Sequence, residues 1–581
     1  MRRCARLFET TVSASILGCL AALLGYCLWS LDRGLDLTDE SYYLSAAINP
    51  DAIILWATAM HWLTPGLWRL TGSLAGFRGI GLAILLCSAL LMAIGAVRAF
   101  RTSGISVVHR PYPLLMIMAC SLAGALLYLA FVPPTPSYNL LAASGAYMTI
   151  GLVFLTANSS PGLRCHCLLL LAGAALGIAF LAKFSSGVIV WAMACGIAIE
   201  SAGSHRDRIY RIASLSGAMA ATVGVAVMLH ATAGEAIAQF RLGALVYMLG
   251  AHESLPQRLA RYSTETEGFL GLLFSSFWLP LLLFAIHALR PRFWLALFGL
   301  AAFCYAVMTQ NFLLGGMDYY ERQTVPLLAA VLSSLLLTAR SWLQNRKAIF
   351  QLAVLLLLPF CIAIGSYNSM HLQALFSLAP WGLLVGILAF GVASLPESRH
   401  AAMLVCVLFV ILATSQVLTN GFRAPYRLHR PLQEQTETIA MPALGTLRVD
   451  KETFDSFHEL TRLAAACGLH PGQNFLGLYN IPGVALMLQA VPLGFPILQD
   501  RLSTEPILEH LSPAAIRSAI VGIDLDSGSY DPGMPKQLAA FPAGYRSCGK
   551  VTLPYRRQIV ELWIDAESER QTVQAAEAWR R

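Results

Sequence analysis

Asp39 and Glu40 stand side by side in Leu31-Asp-Arg-Gly-Leu-Asp-Leu-Thr-Asp-Glu-Ser-Tyr-Tyr43, where the first apolar run of the chain ends. A carboxylate pair at such a boundary loses part of its hydration. It then needs a cation, a proton or a substrate hydroxyl in compensation, which marks it as a candidate functional site. Such a carboxylate can act as a general base, and repulsion between neighbouring acids raises the proton affinity of one of them. Asp36 lies three residues earlier and is the alternative base. Asp36, Asp39 and Glu40 could also offer oxygen ligands to a divalent cation, so no cofactor follows firmly and metal dependence stays open.

Isolated cations are the second chemical feature. Lys183 lies in Leu181-Ala-Lys-Phe-Ser-Ser-Gly187 between two apolar runs, in a chain with only five lysines among its 40 Lys plus Arg. An anion contact and a snorkelling anchor both fit it. Arg322 lies in Gly315-Gly-Met-Asp-Tyr-Tyr-Glu-Arg-Gln-Thr-Val-Pro326. Its planar fork suits phosphate oxygens, while a local pair with Glu321 or Asp318 is the structural alternative. Arg78 opens the second apolar run, and His61, Trp62 and Trp68 precede it. His252, Glu253 and Glu265 to Glu267 read as a solvated loop, and Cys165-His166-Cys167 is too small a fragment for a metal site.

The elements that must position these groups are membrane helices. With 581 residues, 57% hydrophobic, 12% charged and a mean hydropathy of +0.62, a soluble globular chain is excluded. Apolar stretches long enough for a ~30 Å hydrocarbon core predict about thirteen transmembrane helices. They fall near 11–31, 79–97, 112–132, 139–157, 166–182, 184–200, 212–231, 268–289, 293–309, 323–339, 348–366, 374–394 and 402–419. Arginines at 2, 3, 6, 98, 101, 110, 164, 206, 208, 211, 290, 292, 340, 346 and 399 all fall in alternate loops, which the positive-inside rule places in the cytoplasm. The net charge of +8 therefore reports orientation, not a nucleic-acid partner. The other loops, 32–77, 133–138, 233–267, 309–321 and 367–373, then face outward.

Two domains follow: 1–420 in the membrane, with the outward loop 32–77, and 421–581, a soluble α/β domain on the same outer side. The amino terminus is then expected in the cytoplasm and the tail on the outer side of the membrane. Only Cys467 and Cys548 of the 13 cysteines fall in the polar tail, where an oxidising compartment would let them pair. No phosphate-cradling glycine loop or Gly-x-Ser-x-Gly elbow is present, so a lipid-delivered substrate is expected rather than a nucleotide.

With these residues in place, the chain resembles the polytopic glycosyltransferases of the C superfamily, especially the bacterial relatives of protein O-mannosyltransferases and of the aminoarabinose lipid A transferase. Asp39-Glu40-Ser-Tyr-Tyr43 is similar to that family's Asp-Glu-x-x-Tyr motif after the first span. His61, Arg78, Pro136-Ser-Tyr-Asn139, Gly177 to Lys183 and Tyr320 to Pro326 are weaker matches. The resemblance spans roughly residues 10 to 420 and implies an inverting glycosyltransferase that takes sugar from a polyprenyl-phosphate donor. The acceptor would be a lipid, glycan or protein at the outer face. It casts Asp39 as general base and Glu40 as its helper. Lys183, Arg322 and Arg78 become donor-phosphate contacts, with Tyr43, His61 and Asp36 as further substrate-binding groups. A secondary transporter, or a protein that binds or translocates lipid-linked sugar, is the alternative; its ionisable residues would be expected at the bilayer midplane.

Overall fold

The computed structural model describes residues 2–103, 111–157, 162–313, 320–392, 395–524 and 533–566. Helix α1 (Arg2–Ser30) ends where the acidic stretch begins. Segment 32–77 then folds as three short helices, α2 (Asp39–Ile48), α3 (Met60–Leu63) and α4 (Pro65–Thr71). Pro65 opens the last of these, and Gly72 ends it at a φ of 60°, where a side chain would be strained. Ser73 accepts the Gly76 N–H to start α5 (Leu74–Thr102).

The bundle continues with α6 (Pro111–Leu126), α7 (Tyr138–Leu155), α8 (Leu163–Ala182), α9 (Phe184–Glu200) and α10 (His205–His230). Helices α5 and α7 cross so closely that a Cβ on Gly95 would collide with the Gly151 carbonyl, the small-residue packing typical of membrane helices. On α10, by contrast, Val225, Met228 and Leu229 are exposed, as on a lipid-facing helix.

Residues 233–267, expected as a loop, are helical instead: α11 (Ala233–Ala251) and the first turns of α12 (Leu255–Leu289). Capping contacts open both helices: Thr232 and Glu235 bond reciprocally, and the Gln257 side chain accepts the Ser254 N–H at 2.7 Å. Next come α13 (Phe293–Thr309), α14 (Tyr320–Leu337), the single turn α15 (Ala339–Trp342) and α16 (Arg346–Ala363). A broken pair, α17 (Met370–Ala374) and α18 (Ala379–Gly386), bends by 63°, and α19 (Pro396–Gln416) winds on as a π-helix to Arg423.

This is an α-helical polytopic membrane fold. Each stretch read as a span falls on a helix, but among the described residues nine pass as membrane spans by length and composition, or ten with the bent pair. Phe184–Glu200, Phe293–Thr309 and Arg322–Leu337 are apolar but shorter. With these three and the bent pair, all thirteen stretches expected from hydropathy fall on apolar helices.

The tail starts with a hairpin, β1 (Glu437–Met441) and β2 (Gly445–Val449). After α20 (Lys451–Ala466) it alternates β3 (Asn474–Leu478), α21 (Pro482–Met487), β4 (Val491–Pro492), α22 (Arg501–Glu509), α23 (Pro513–Ser518) and β5 (Ile520–Asp524). Strands β6 (Tyr545–Thr552) and β7 (Ile559–Asp565) complete a five-stranded mixed sheet in the order β4-β3-β5-β7-β6. Cys467, at the end of α20, is disulfide-bonded to Cys548 in β6, with Cα atoms 5.8 Å apart.

Segment 32–77 is built into this tail. Leu35, Leu37, Leu44, Leu74 and Phe77 share one buried cluster with Leu447, Phe475, Val484 and Leu562. The Gly34 N–H donates to the Arg448 carbonyl at 2.8 Å and the Arg448 N–H to the Asp32 carbonyl at 2.7 Å. The Gly483 N–H likewise donates to the Leu37 carbonyl at 2.8 Å. The acidic stretch is thereby fixed between the ends of the spans and the sheet domain.

Candidate active site

Asp36, Asp39 and Glu40 come together at the start of α2, but the structure gives them three different tasks. Asp36 is buried, and its carboxylate accepts the Thr38 N–H at 2.8 Å, the Thr38 hydroxyl at 2.6 Å and the Glu40 N–H at 3.2 Å. It caps the helix from below, satisfying N–H groups that a first turn leaves without partners. Burial pushes its pKa up and the Asp39 charge adds to this, while Arg427 and the Thr38 bonds pull it back. Asp36 is thus a buried capping group of α2.

Glu40 is also buried, and it faces Arg78 in a bidentate pair, Nε to Oε1 at 2.8 Å and Nη2 to Oε2 at 2.6 Å. The Thr135 hydroxyl donates to the same Oε1. Arg78 gives its remaining N–H groups to the carbonyls of Leu31 at 3.0 Å, Arg33 at 2.9 Å and Gly34 at 2.9 Å. A guanidinium has five donors, and all five of Arg78 are engaged in these bonds. Glu40 and Arg78 together form a clamp tying α2 to the ends of α1 and α5.

Asp39 is the accessible one, with 31% of its side chain exposed. Arg427 Nη1 lies 3.1 Å from Oδ1, and the Tyr426 hydroxyl donates to Oδ2 at 3.2 Å. Neither residue was identified from sequence. Both follow Pro425 in the linker between the last helix and the tail, and an aromatic-basic pair after a proline was the only local signal. Tyr128, Ser137 and Tyr138 line the neighbouring Pro133 to Tyr138 turn, whose Tyr138 ring stands 5.9 Å from that of Tyr43.

Tyr43 itself is buried with Tyr42, Ala46, Ile53 and Met60. His61 lies in α3 and is 3% exposed; burial pushes its pKa down to about 4, and its Nε2 has no partner. Its ring therefore faces the protein interior and not open space. Lys183, between α8 and α9, donates to the carbonyls of Ile362 at 3.0 Å and Ala363 at 3.1 Å. The side chain is buried, and these bonds cap the C-terminal end of α16, where the helix dipole favours a cation. Two of the three ammonium N–H groups of Lys183 are thus engaged in capping α16. Arg322 is exposed on the first turn of α14; Asp318 and the Glu321 side chain lie outside the described residues.

The acids and histidine of the former loop also hold structure. Glu253 and Glu265 pair with Arg261 at 3.0 and 2.7 Å, and His252 Nε2 lies 3.4 Å from Asp500 of the tail. Among the described residues no three His, Cys, Asp or Glu side chains are grouped as metal ligands.

No protein-family model matches the chain, and no curated protein matches it in sequence. Among solved structures it is similar to the crystal structure of ArnT from Cupriavidus metallidurans bound to undecaprenyl phosphate, at 14% identity and a TM-score of 0.41. That match covers 94% of this chain and 97% of the other.

Proposed function

We propose that the chain is a membrane glycosyltransferase of the bacterial inner membrane. It moves a sugar from a polyprenyl-phosphate donor to a lipid, glycan or protein acceptor at the periplasmic face, with inversion and with Asp39 as general base. The observation that carries this reading is the division of labour in the acidic stretch. Asp36 and Glu40 are buried and fully bonded, whereas Asp39 keeps part of its carboxylate open at the end of the bundle that also carries the tail.

The chemistry needs little else. The acceptor hydroxyl gives its proton to Asp39 as its oxygen attacks the anomeric carbon, and the bond to the polyprenyl phosphate breaks on the opposite face. The phosphate leaves as an anion that is already stable, so a separate general acid is unnecessary, but a cation must face it. Arg322, exposed at the start of α14, is one such cation.

Donor turnover tests the proposal. Purified protein in proteoliposomes, supplied with labelled polyprenyl-phosphate sugars and membrane extract, is expected to move label into a new lipid, glycan or protein product. Uptake of intact donor or sugar with no product formed would instead identify a transporter.

A further inference from the structure

The turn after the last helix delivers a guanidinium to the catalytic carboxylate. Arg427 adopts a φ of 55°, a left-handed conformation that is uncommon outside glycine and turns the side chain back toward α2. Its Nη1 donates to the Thr38 hydroxyl at 2.6 Å and forms an ion pair with Asp39 Oδ1 at 3.1 Å. The guanidinium carbon stands 4.7 Å from the centre of the Tyr426 ring, whose hydroxyl takes the other Asp39 oxygen. Both carboxylate oxygens are therefore held from the linker.

Only one edge of the fork is occupied. Among the described residues no group accepts a hydrogen bond from Nε or Nη2 of Arg427, and 21% of the side chain is exposed beside the 31% of Asp39. The Nε–Nη2 edge presents two parallel N–H groups, the geometry that matches two oxygens of one phosphate. Arg78 and Lys183, by contrast, are committed to carbonyls and Glu40.

We infer that Arg427 is a bifunctional site residue: its Nη1 edge orients Asp39, and its open Nε–Nη2 edge binds the phosphate of the lipid donor. The inference rests on the glycosyl-transfer reading. It places base and anion contact on neighbouring groups, with the linker to the tail completing the site. Neutralising Asp39 with the same guanidinium also lets an anionic lipid approach a carboxylate that would otherwise repel it.

Binding of a short-chain polyprenyl phosphate to the full-length protein in detergent tests this, with the matching polyprenol as the uncharged control. Arg427→Gln is expected to weaken phosphate binding roughly 10- to 100-fold, the range for loss of a charge-assisted contact, and to leave polyprenol binding as in the wild type. Arg427→Lys keeps the charge without the fork and is expected to fall between the two. A parallel loss of both ligands in both variants would mean that Arg427 only supports the fold, and would overturn the inference. So would wild-type phosphate affinity in either variant. A wild-type protein that prefers polyprenyl phosphate no more than polyprenol would instead overturn the glycosyl-transfer reading itself.

Discussion

Glu40 and Arg78 form a closed unit, each carboxylate oxygen of Glu40 taking one guanidinium N–H and every other N–H of Arg78 ending on a backbone carbonyl. Removing one partner leaves the other charged and buried, which typically costs about 3 to 5 kcal/mol. Glu40→Gln and Arg78→Ala are therefore expected to lower the thermal unfolding temperature in detergent sharply. Asp39→Asn, which alters a partly exposed pair, is expected to cost no more than about 1 kcal/mol. A wild-type unfolding temperature in Glu40→Gln would show that the clamp is not structural.

His61 gives a pH dependence with a defined sign. Its pKa falls from 6.5 to about 4 on burial, so between those values the unfolded chain binds a proton that the folded chain does not. The stabilisation is complete above about pH 6.5 and is lost as the pH falls toward 4, at up to about 1.4 kcal/mol per unit. Unfolding temperatures measured from pH 7 to pH 4.5 should decline less steeply in His61→Asn than in the wild type. Identical slopes would remove His61 as the source.

The disulfide between Cys467 and Cys548 predicts which side of the membrane the tail occupies. Persistent disulfides belong to oxidising compartments, so both thiols should resist maleimide in intact membranes and react only after reduction. The bond bridges residues 81 apart, and Cys467→Ser is expected to destabilise the tail by about 2 to 5 kcal/mol. A single-sided reporter fused after Asn420 should agree with the thiols by reading periplasmic. A cytoplasmic reading there would separate the tail from the face assigned to it.

The membrane class and the helices were legible because hydropathy and loop arginines are read along the chain itself. Asp39 stood out for the same reason, as an acid at the end of an apolar run. What the sequence hid were contacts between distant segments. Arg427 reaches Asp39 from the far end of the membrane domain, and in sequence it looks like any other loop arginine. The partners of Lys183 are backbone carbonyls of α16, which no side-chain pattern announces. Glu40 and Arg78 were both noted, but only their pairing shows that each consumes the other's capacity. Helix α11 is a different case, since Thr232 and Glu235 spell a capping box that polarity alone had disguised as a loop.

The central claim is that Asp39 takes the acceptor proton, and the most direct measurement is donor turnover by Asp39→Asn compared with donor binding by the same protein. Asparagine keeps the size but removes the basic oxygen, so consumption of labelled polyprenyl-phosphate sugar should fall by about 10² to 10⁴. Donor affinity and unfolding temperature should stay close to wild type. Wild-type turnover in Asp39→Asn, with the label still transferred to product, would contradict the account.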